Sequence, residues 1–483
     1  MEALALRSSG GPVGLELRLD YLQDFSQFES DLHQMLARLH FPPTIATCRM
    51  TGAGGMFGGT LADQSAILAA AVRAGCHWVD VEIESVQKGG VAFLRSLEAP
   101  KIIVSYHDFE ETPALGAIYR RLVRLPVQVV KIATHARRLR DNLPIQRLLK
   151  AHRRSSPKLV ALAMGESGIP SRLLSLLWGS AFTYAAPLNH AAAAAGQIPA
   201  EAMRFVYRVE RLDSRTRLYG VLGSHAAISL SPAMQNAAFQ AKHVNAVFLP
   251  FQTSRLPDFL ALARALGLHG FAVTMPFKRT ILRAVDWVDP LANRIGACNT
   301  VALERGRWLG WNTDAAAVVE VLTKRLRLAG SRILILGAGG AARAAAYAVR
   351  AEGAEVLISA RREATARALA RGVAAQVVPW NNLESLEVDA VINATPVGMH
   401  PHVDSPIDLA RLRVRVVFDM VYYPQSTRLL NDARGRGLTT ISGLEMLVAQ
   451  GARQFEIWTG ISAPRALMEQ AVRQALAPPQ SQS

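Results

Sequence analysis

Two residues with reactive nitrogens stand out by placement. His107 follows the run Ile102–Tyr106, and Lys131 lies inside the run Val129–Ala133. Both runs are short, apolar and rich in β-branched residues. An imidazole can take up and return a proton near neutral pH, and an amine that has lost its proton can attack a carbonyl carbon. Arg18, Arg49 and Glu84 sit at or near the ends of other such runs. From the residues alone, a histidine and a lysine on successive strand ends fit a catalytic pair or a structural pair in a polar mouth.

A third candidate is Gly337-Ala338-Gly339-Gly340-Ala341-Ala342, which follows an apolar strand and opens an alanine-rich helix. The first glycine permits a tight turn, the second lets backbone approach a pyrophosphate, and the helix N-terminus offers N–H groups to that anion. The next strand ends Ser359-Ala360-Arg361-Arg362, with no carboxylate. An acid there suits the ribose 2′-hydroxyl of NAD, whereas arginine suits a 2′-phosphate, so NADP is the expected cofactor. A glycine turn without ligand and an exposed basic loop are the plainer readings of the same residues.

Stepping outward, the first half repeats strand then helix. Val13–Leu19, Thr44–Arg49, Trp78–Ile83, Ile102–Tyr106, Val129–Ala133, Leu159–Met164 and Ala181–Ala185 read as strands. Asp63–Ala74 and Pro113–Leu125 read as helices between them. Such alternation predicts a parallel sheet. Polar residues at strand C-termini suit the mouth of a βα barrel, although seven strands fall one short of eight. Arg204–Arg217 reads as a charged, helix-like boundary. Beyond it, 218–320 is mixed αβ, and Ile333–Leu336, Glu355–Ser359 and Ala390–Asn393 read as strands of a doubly wound dinucleotide fold.

The chain has 483 residues, half of them hydrophobic, and a net charge of +16. That composition excludes a disordered or fibrous chain and supports several cores. Both halves are basic, which suits anionic small molecules, nucleic acid or an acidic surface. Three cysteines without a CxxC argue against a disulfide framework or zinc site and for a reducing compartment. The opening residues carry no signal or transit pattern. Leu173–Ala200 lacks acids and bases, but its glycines, prolines and polar residues count against a membrane span.

Seven ordered segments of the second half resemble shikimate dehydrogenase: Tyr219–Gly223 leading to Ser229-Leu230-Ser231-Pro232, Phe271–Lys278, Gly296–Thr300, Gly310–Asp314, Asn393–Met399, Asp419–Tyr422 and Gly443–Gln450. The resemblance implies that Ser229, Ser231, Thr274, Asn299, Asp314, Tyr422 and Gln450 surround the substrate, and that Lys278 and Asp314 are the acid/base pair. It implies an NADP site of Gly337, Ala338, Gly339, Gly340, Ala341, Arg361, Arg362, Thr395 and Gly443. Keeping Ser229 and Ser231 with Thr274 favours shikimate over quinate in this family.

The first half resembles type I 3-dehydroquinate dehydratase through Glu16–Asp20, Thr47-Cys48-Arg49 with Gly54-Gly55, Asp80-Val81-Glu82, Ser105–Phe109, Lys131-Ile132-Ala133, Met164-Gly165 with Ser171-Arg172, and Gly179-Ser180 with Gly196-Gln197. The resemblance implies that Lys131 forms a Schiff base with the substrate ketone, helped by a desolvated barrel mouth. His107 would be the general base and then the acid, Glu82 would orient His107, and Arg172 would grip the substrate carboxylate. Glu16, Arg18, Arg49, Ser180 and Gln197 would contact hydroxyls and close the site. Two departures are Ala195, where the family usually has proline, and the late position of the Glu16–Asp20 strand, which matches the family's second barrel strand.

The expected fold is thus α/β: an N-terminal TIM-like barrel without its first strand, fused to a two-domain shikimate dehydrogenase with a C-terminal Rossmann domain. The expected divisions are a dehydratase barrel over 1–212, a substrate-binding domain over 217–322, an NADP-binding domain over 323–445 and returning helices over 446–475. The resemblance implies a bifunctional enzyme that converts 3-dehydroquinate to 3-dehydroshikimate and then to shikimate, and the opening residues, without a transit pattern, point to the cytoplasm. The alternative is an NADP-dependent dehydrogenase carrying an inactive barrel. The expected partners are these small molecules, with no metal, nucleic acid or membrane. The basic stretch Arg137–Arg154 lacks interleaved aromatics and reads as a solvated helix face, and His400 and His402 form an isolated pair.

Overall fold

The computed structural model describes residues 14–39, 43–187, 196–383 and 386–476. Ala195, the alanine run 191–195 and the start of the first expected strand lie outside these residues. The chain divides into two compact units, one centred on residues 1–214 and the other on 215–483.

The first unit is built on six strands: β1 (Leu15–Arg18), β2 (Thr44–Thr47), β3 (Trp78–Glu82), β4 (Ile102–His107), β5 (Val129–His135) and β6 (Lys158–Met164). All pairings are parallel, and the order is β1-β2-β3-β4-β5-β6. A doubly wound sheet reverses its order at a switch point, whereas strictly sequential order is that of an opened βα barrel. The helices between are α1 (Phe28–Leu39), α2 (Leu61–Arg73), α3 (Ile83–Ser96, broken at Gly90), α4 (Leu115–Leu122), α5 (Asn142–Ala151) and α6 (Ile169–Trp178). Helix α2 starts at a reciprocal cap: Thr60 Oγ accepts from the Asp63 N–H at 3.2 Å, and the Asp63 carboxylate accepts from the Thr60 N–H at 2.9 Å.

The expected seventh strand, Ala181–Ala185, is not one. Its segment has no regular structure, and among the described residues it and the residue after it pair through isolated contacts, Ala181 N–H to Leu159 O and a bridge between Ala186 and Pro199. Apolar content alone cannot distinguish a paired strand from an extended segment crossing a sheet interior. Arg204–Arg217 is likewise not a regular helix. It holds a π turn at Ala202–Val206 and a 3₁₀ turn at Val209–Arg211, interrupted by Arg208 with φ of +50°. In the apolar run 173–200, α6 ends at Trp178 with Gly179 as its C-cap, and no described helix is long and apolar enough to cross a membrane.

The second unit contains two sheets. Strands β7 (Arg217–Gly223), β8 (Ala246–Gln252), β9 (Gly270–Val273), β10 (Trp287–Val288), β11 (Thr300–Glu304) and β12 (Arg307–Trp311) form a mixed sheet in the order β10-β12-β11-β9-β7-β8. Strands β13 (Arg332–Leu336), β14 (Glu355–Ser359), β15 (Gln376–Val377), β16 (Ala390–Asn393), β17 (Val416–Asp419) and β18 (Thr439–Ile441) form a parallel sheet in the order β15-β14-β13-β16-β17-β18. Its order reverses between β13 and β16, which defines the dinucleotide-binding topology. The helices that matter for the site are α7 (Ser231–Ala241), α8 (Thr313–Thr323), α9 (Gly340–Ala351), α10 (Gly443–Thr459) and α11 (Arg465–Leu476). Helix α10 ties the sheets together. Its Leu444, Leu447, Val448 and Phe455 enter the core beside the mixed sheet, while Met446 and Ala449 enter the core of the parallel one.

Candidate active sites

Strand geometry assembles the first site. Side chains alternate across a strand, so residues two apart share a face. Register then lines up Glu16 and Arg18 of β1, Thr47 of β2 with Arg49 beyond it, Asp80 and Glu82 of β3, Ser105 and His107 of β4 and Lys131 of β5. Apolar layers flank them: Ile103, Val129 and Val160 below, Ala133, Leu162 and Met164 above. Above this face lies a cavity of about 90 Å³, lined among others by Glu16, Arg18, Arg49, His107, Lys131, Arg172, Tyr184 and Gln197.

Lys131 is 5% exposed. Its Nζ lies 2.8 Å from Asp80 Oδ2 and 3.7 Å from Glu16 Oε1, and 4.2 Å from the centre of the Tyr184 ring. Asp80 also accepts from Ser105 Oγ at 2.6 Å and faces Arg49 Nη2 at 3.5 Å. Burial works against the Asp80 carboxylate, but Lys131, Arg49 and these hydrogen bonds outweigh it and hold the carboxyl below its usual range.

Arg49 Nη1 lies 2.5 Å from His107 Nδ1 and 2.8 Å from Nε2. Guanidinium only donates, so this contact requires an unprotonated ring nitrogen. Burial lowers the imidazole well below its usual range, and the charges of Arg49, Lys131 and Arg18 lower it further. His107 is therefore neutral, the state a general base needs. Phe109 stacks on it at 5.8 Å. The turn carrying Arg49 needs glycine at 54: φ is +79°, and a Cβ would fall 2.4 Å from the Phe109 ring.

Arg172, on α6, is 2% exposed. Its Nη1 donates to the Tyr184 carbonyl at 3.2 Å and its Nε is buried without a partner. Burial lowers its guanidinium to about 10. A buried cation without an anion is a site awaiting one.

Two expected positions make hydrogen bonds other than those expected. Glu82 makes no hydrogen bond to His107. Its Oε1 accepts from Met50 N–H at 3.1 Å, Gln64 Nε2 at 2.9 Å and Ser85 Oγ at 3.0 Å, which clamps the end of β2 that carries Arg49, and its Oε2 is buried without a hydrogen-bond partner among the described residues. Ser180 is absent from the cavity lining, because its hydroxyl donates to the Phe182 carbonyl at 2.8 Å after the left-handed C-cap of α6 at Gly179. Asp80 and Tyr184 were missed as site residues. Asp80 had a signal, its place two before Glu82 on one strand; Tyr184 had none.

In the second unit, Lys278 Nζ lies 2.5 Å from Asp314 Oδ2. Asp314 is in the first turn of α8, where the helix dipole favours a carboxylate. Its other oxygen accepts from Asn299 Nδ2 at 2.7 Å, and Asn299 also reaches Thr313 Oγ1 at 3.0 Å and Gln450 Oε1 at 3.4 Å. The expected residues Lys278, Asp314, Asn299 and Gln450 thus form one network. Ser229, Ser231 and Tyr422 form another: Ser231 N–H donates to Ser229 Oγ at 3.2 Å, and burial raises the Tyr422 phenol while a hydrogen bond with Ser229 opposes it. Among the described residues no hydrogen bond joins the two networks. Thr274, after β9, donates its N–H to Leu222 O at 2.8 Å.

The glycine-rich turn lies between β13 and α9. Gly337 has φ of +110°, and a Cβ there would press on Ala394 O at 3.0 Å and Thr395 Cγ2 at 3.3 Å. A Cβ at Gly339 would meet open space, and one at Gly340 would lie 3.0 Å from Lys278 Cβ. Ala338 and Ala341 are half-buried beside them. Arg361 and Arg362 are exposed after β14, and no acid engages them among the described residues. Open backbone at a helix N-terminus with two free guanidinium groups one strand away fits NADP. Thr395 is held by its hydroxyl on Asn393 Oδ1 at 2.7 Å. Gly443 needs no cofactor to explain it, since a Cβ would fall 2.5 Å from Val421 O.

A lysine-bearing open βα barrel joined to a two-domain NADP-type reductase is the class these features define. Family models agree: type I 3-dehydroquinase matches residues 5–214, the shikimate dehydrogenase substrate binding domain 221–301, an NADP oxidoreductase (coenzyme F420-dependent) model 332–422, and the shikimate 5'-dehydrogenase C-terminal domain 443–473. The chloroplastic bifunctional 3-dehydroquinate dehydratase/shikimate dehydrogenase of Arabidopsis thaliana is 32% identical over 482 residues, covering 94% of this chain and 78% of that one. An NADP(+) shikimate dehydrogenase of Anaeromyxobacter is 43% identical over 54% of this chain and 97% of its own. The Thermus thermophilus shikimate 5-dehydrogenase solved with NADP(H) and shikimate aligns with a TM-score of 0.51 and 37% identity, covering 54% of this chain and all of that one. The chain belongs to the bifunctional 3-dehydroquinate dehydratase/shikimate dehydrogenase family.

Proposed function

We propose that the chain catalyses two consecutive reactions, dehydration of 3-dehydroquinate and NADPH-dependent reduction of the resulting 3-dehydroshikimate to shikimate. The observation that carries the reading is one cavity holding a buried lysine, a neutral histidine and an arginine that meets no carboxylate among the described residues.

Arg172 binds the substrate carboxylate, and Glu16, Arg18, Arg49 and Gln197 meet its hydroxyls. The Lys131 amine attacks the ketone carbon, and loss of water leaves a cationic imine that acidifies the adjacent C–H. Neutral His107 takes that proton and returns it to the departing hydroxyl, so water leaves as the carbon–carbon double bond forms. Hydrolysis then frees product and Lys131. Glu82 acts one step away, fixing the backbone from which Arg49 projects.

In the second unit Gly337, Gly339, Gly340, Arg361 and Arg362 would hold NADPH, which supplies hydride when bound. Lys278 donates to the substrate oxygen as negative charge gathers there, and gives it a proton. Asp314 holds Lys278 in place and is itself fixed by Asn299. Ser229, Ser231, Thr274, Tyr422 and Gln450 orient the substrate. A cytoplasmic setting completes the reading, supported by three free, buried cysteines.

The test is the full chain with 3-dehydroquinate and NADPH, with products identified by mass spectrometry. Shikimate is expected. A second reading, a dehydrogenase carrying an inactive first unit, is favoured by the unclosed six-strand sheet. It predicts unreacted substrate or directly reduced quinate, and no change of activity on replacing Lys131.

A further inference from the structure

Among the described residues, Tyr184 is the one polar side chain lining the cavity that has no part in the reactions above. Three contacts fix it: its carbonyl accepts from Arg172 Nη1 at 3.2 Å, its ring meets Phe182 edge-on at 5.6 Å, and Lys131 Nζ stands over its face. Its hydroxyl is buried and has no hydrogen-bond partner. Burying a polar group unpaired is destabilising, and phenylalanine would fill the same space without that penalty. A hydroxyl there makes sense if a ligand completes it.

The surroundings say what the ligand must offer. Lys131, Arg49 and Arg172 can only donate. Of the nearby carboxylates, Asp80 is bonded to Lys131 and Ser105, and Glu16 Oε1 accepts from Thr47 Oγ1 at 2.9 Å. Burial, then the charges of Glu16 and Asp80, raise the phenol well above its usual range, so it remains a donor. The missing partner is therefore an acceptor oxygen close to Lys131 Nζ. On the proposed dehydratase reading, on which this rests, one atom meets that description: the substrate oxygen on the carbon that Lys131 attacks. It begins as the ketone oxygen and becomes the hydroxyl lost as water when the imine forms.

We infer that Tyr184 is a catalytic residue of the first reaction, donating a hydrogen bond to the ketone-derived oxygen during imine formation while its ring face holds the cationic nitrogen. The two parts separate by substitution. Tyr184→Phe keeps the ring and loses the donor; Tyr184→Leu loses both.

The experiment is borohydride trapping of the full chain with 3-dehydroquinate, timed by rapid quench and read as a mass increment on the Lys131 peptide. NADP-dependent oxidation of shikimate by the same samples serves as the concentration standard. Tyr184→Phe is expected to trap about tenfold more slowly, the worth of one hydrogen bond of about 1.4 kcal/mol. Its thermal midpoint should equal or exceed that of the parent, which a purely structural tyrosine would not combine with a slower rate. Tyr184→Leu should trap more slowly still. Equal trapping rates for the parent and Tyr184→Phe overturn the inference. Absence of any increment on Lys131 in the parent overturns the dehydratase reading itself, and the inference with it.

Discussion

Replacing Asp80 by asparagine tests the electrostatic core of the first unit. The carboxylate is fully buried, 2.8 Å from Lys131 and 3.5 Å from Arg49. Asparagine keeps the shape and can still accept from Ser105, but it leaves two buried cations facing a neutral group. Removing one partner of a buried pair costs about 3–5 kcal/mol. Glu16 remains 3.7 Å from Lys131, so the low end applies, about 3 kcal/mol, or roughly 150-fold in the folding equilibrium. With a urea slope of roughly 2 kcal/mol/M, the midpoint should fall by about 1.5 M. Urea titration with brief proteolysis, reading peptides from 14–187 separately from those of the second unit, assigns the loss. The pH dependence has a definite sign. A carboxyl depressed in the folded state contributes stability that is fully present above its unfolded value, 3.8, and disappears as pH falls through the lower folded value. The deficit of Asp80→Asn should therefore stay constant from pH 7 to about 5 and shrink below about 4. Equal midpoints at pH 7, or a deficit that grows on acidification, would refute the reasoning.

Three further outcomes are expected. Arg49→Met should move the acid limb of dehydratase kcat/KM to higher pH, since neutral His107 is required and one of the charges depressing it is gone; Glu82→Gln should leave that limb in place, because Glu82 is not among the groups that shift the imidazole. Gly340→Ala should lower dehydrogenase kcat about three- to tenfold, because the new methyl displaces the Lys278 stem by a few tenths of an ångström. Arg361→Gln with Arg362→Gln should raise the KM for NADPH by about 10- to 100-fold and leave that for NADH nearly unchanged, the loss of one or two charge-assisted phosphate contacts.

The parts read correctly from sequence were those in which local pattern and chemistry coincide. Glu355–Ser359 and Ala390–Asn393 are strands at their expected bounds, since apolar residues flanked by turn signals leave few alternatives. Lys131, His107 and Arg49 could be grouped because strand ends in a sequential parallel sheet converge. What failed was non-local. Ala181–Ala185 has the composition of a strand but finds no continuous ladder. Glu82 has the right type to serve His107, yet its Oε1 is taken by Gln64 and the Met50 amide; that contact comes from a helix eighteen residues away, and nothing near Glu82 announces it. Tyr184 joins the site only because its segment crosses the sheet interior.

Both sites rest on a lysine held by an aspartate, and their surroundings explain why the same pair serves different chemistry. Around Lys131 and Asp80 stand three more cations, Arg18, Arg49 and Arg172, in a cavity lined by aromatic and aliphatic side chains. Such a cavity draws in an anion, keeps a neighbouring histidine neutral, and stabilises the negative charge that builds when a proton leaves carbon. Around Lys278 and Asp314 stand neutral donors and acceptors, Asn299, Thr313 and Gln450. They fix Asp314 without competing for charge, so Lys278 carries the nearest full positive charge to a developing alkoxide and is its natural proton source. On the proposed reading, the number of cations around the lysine, more than the lysine–aspartate contact itself, therefore separates carbon deprotonation in one unit from oxygen protonation in the other.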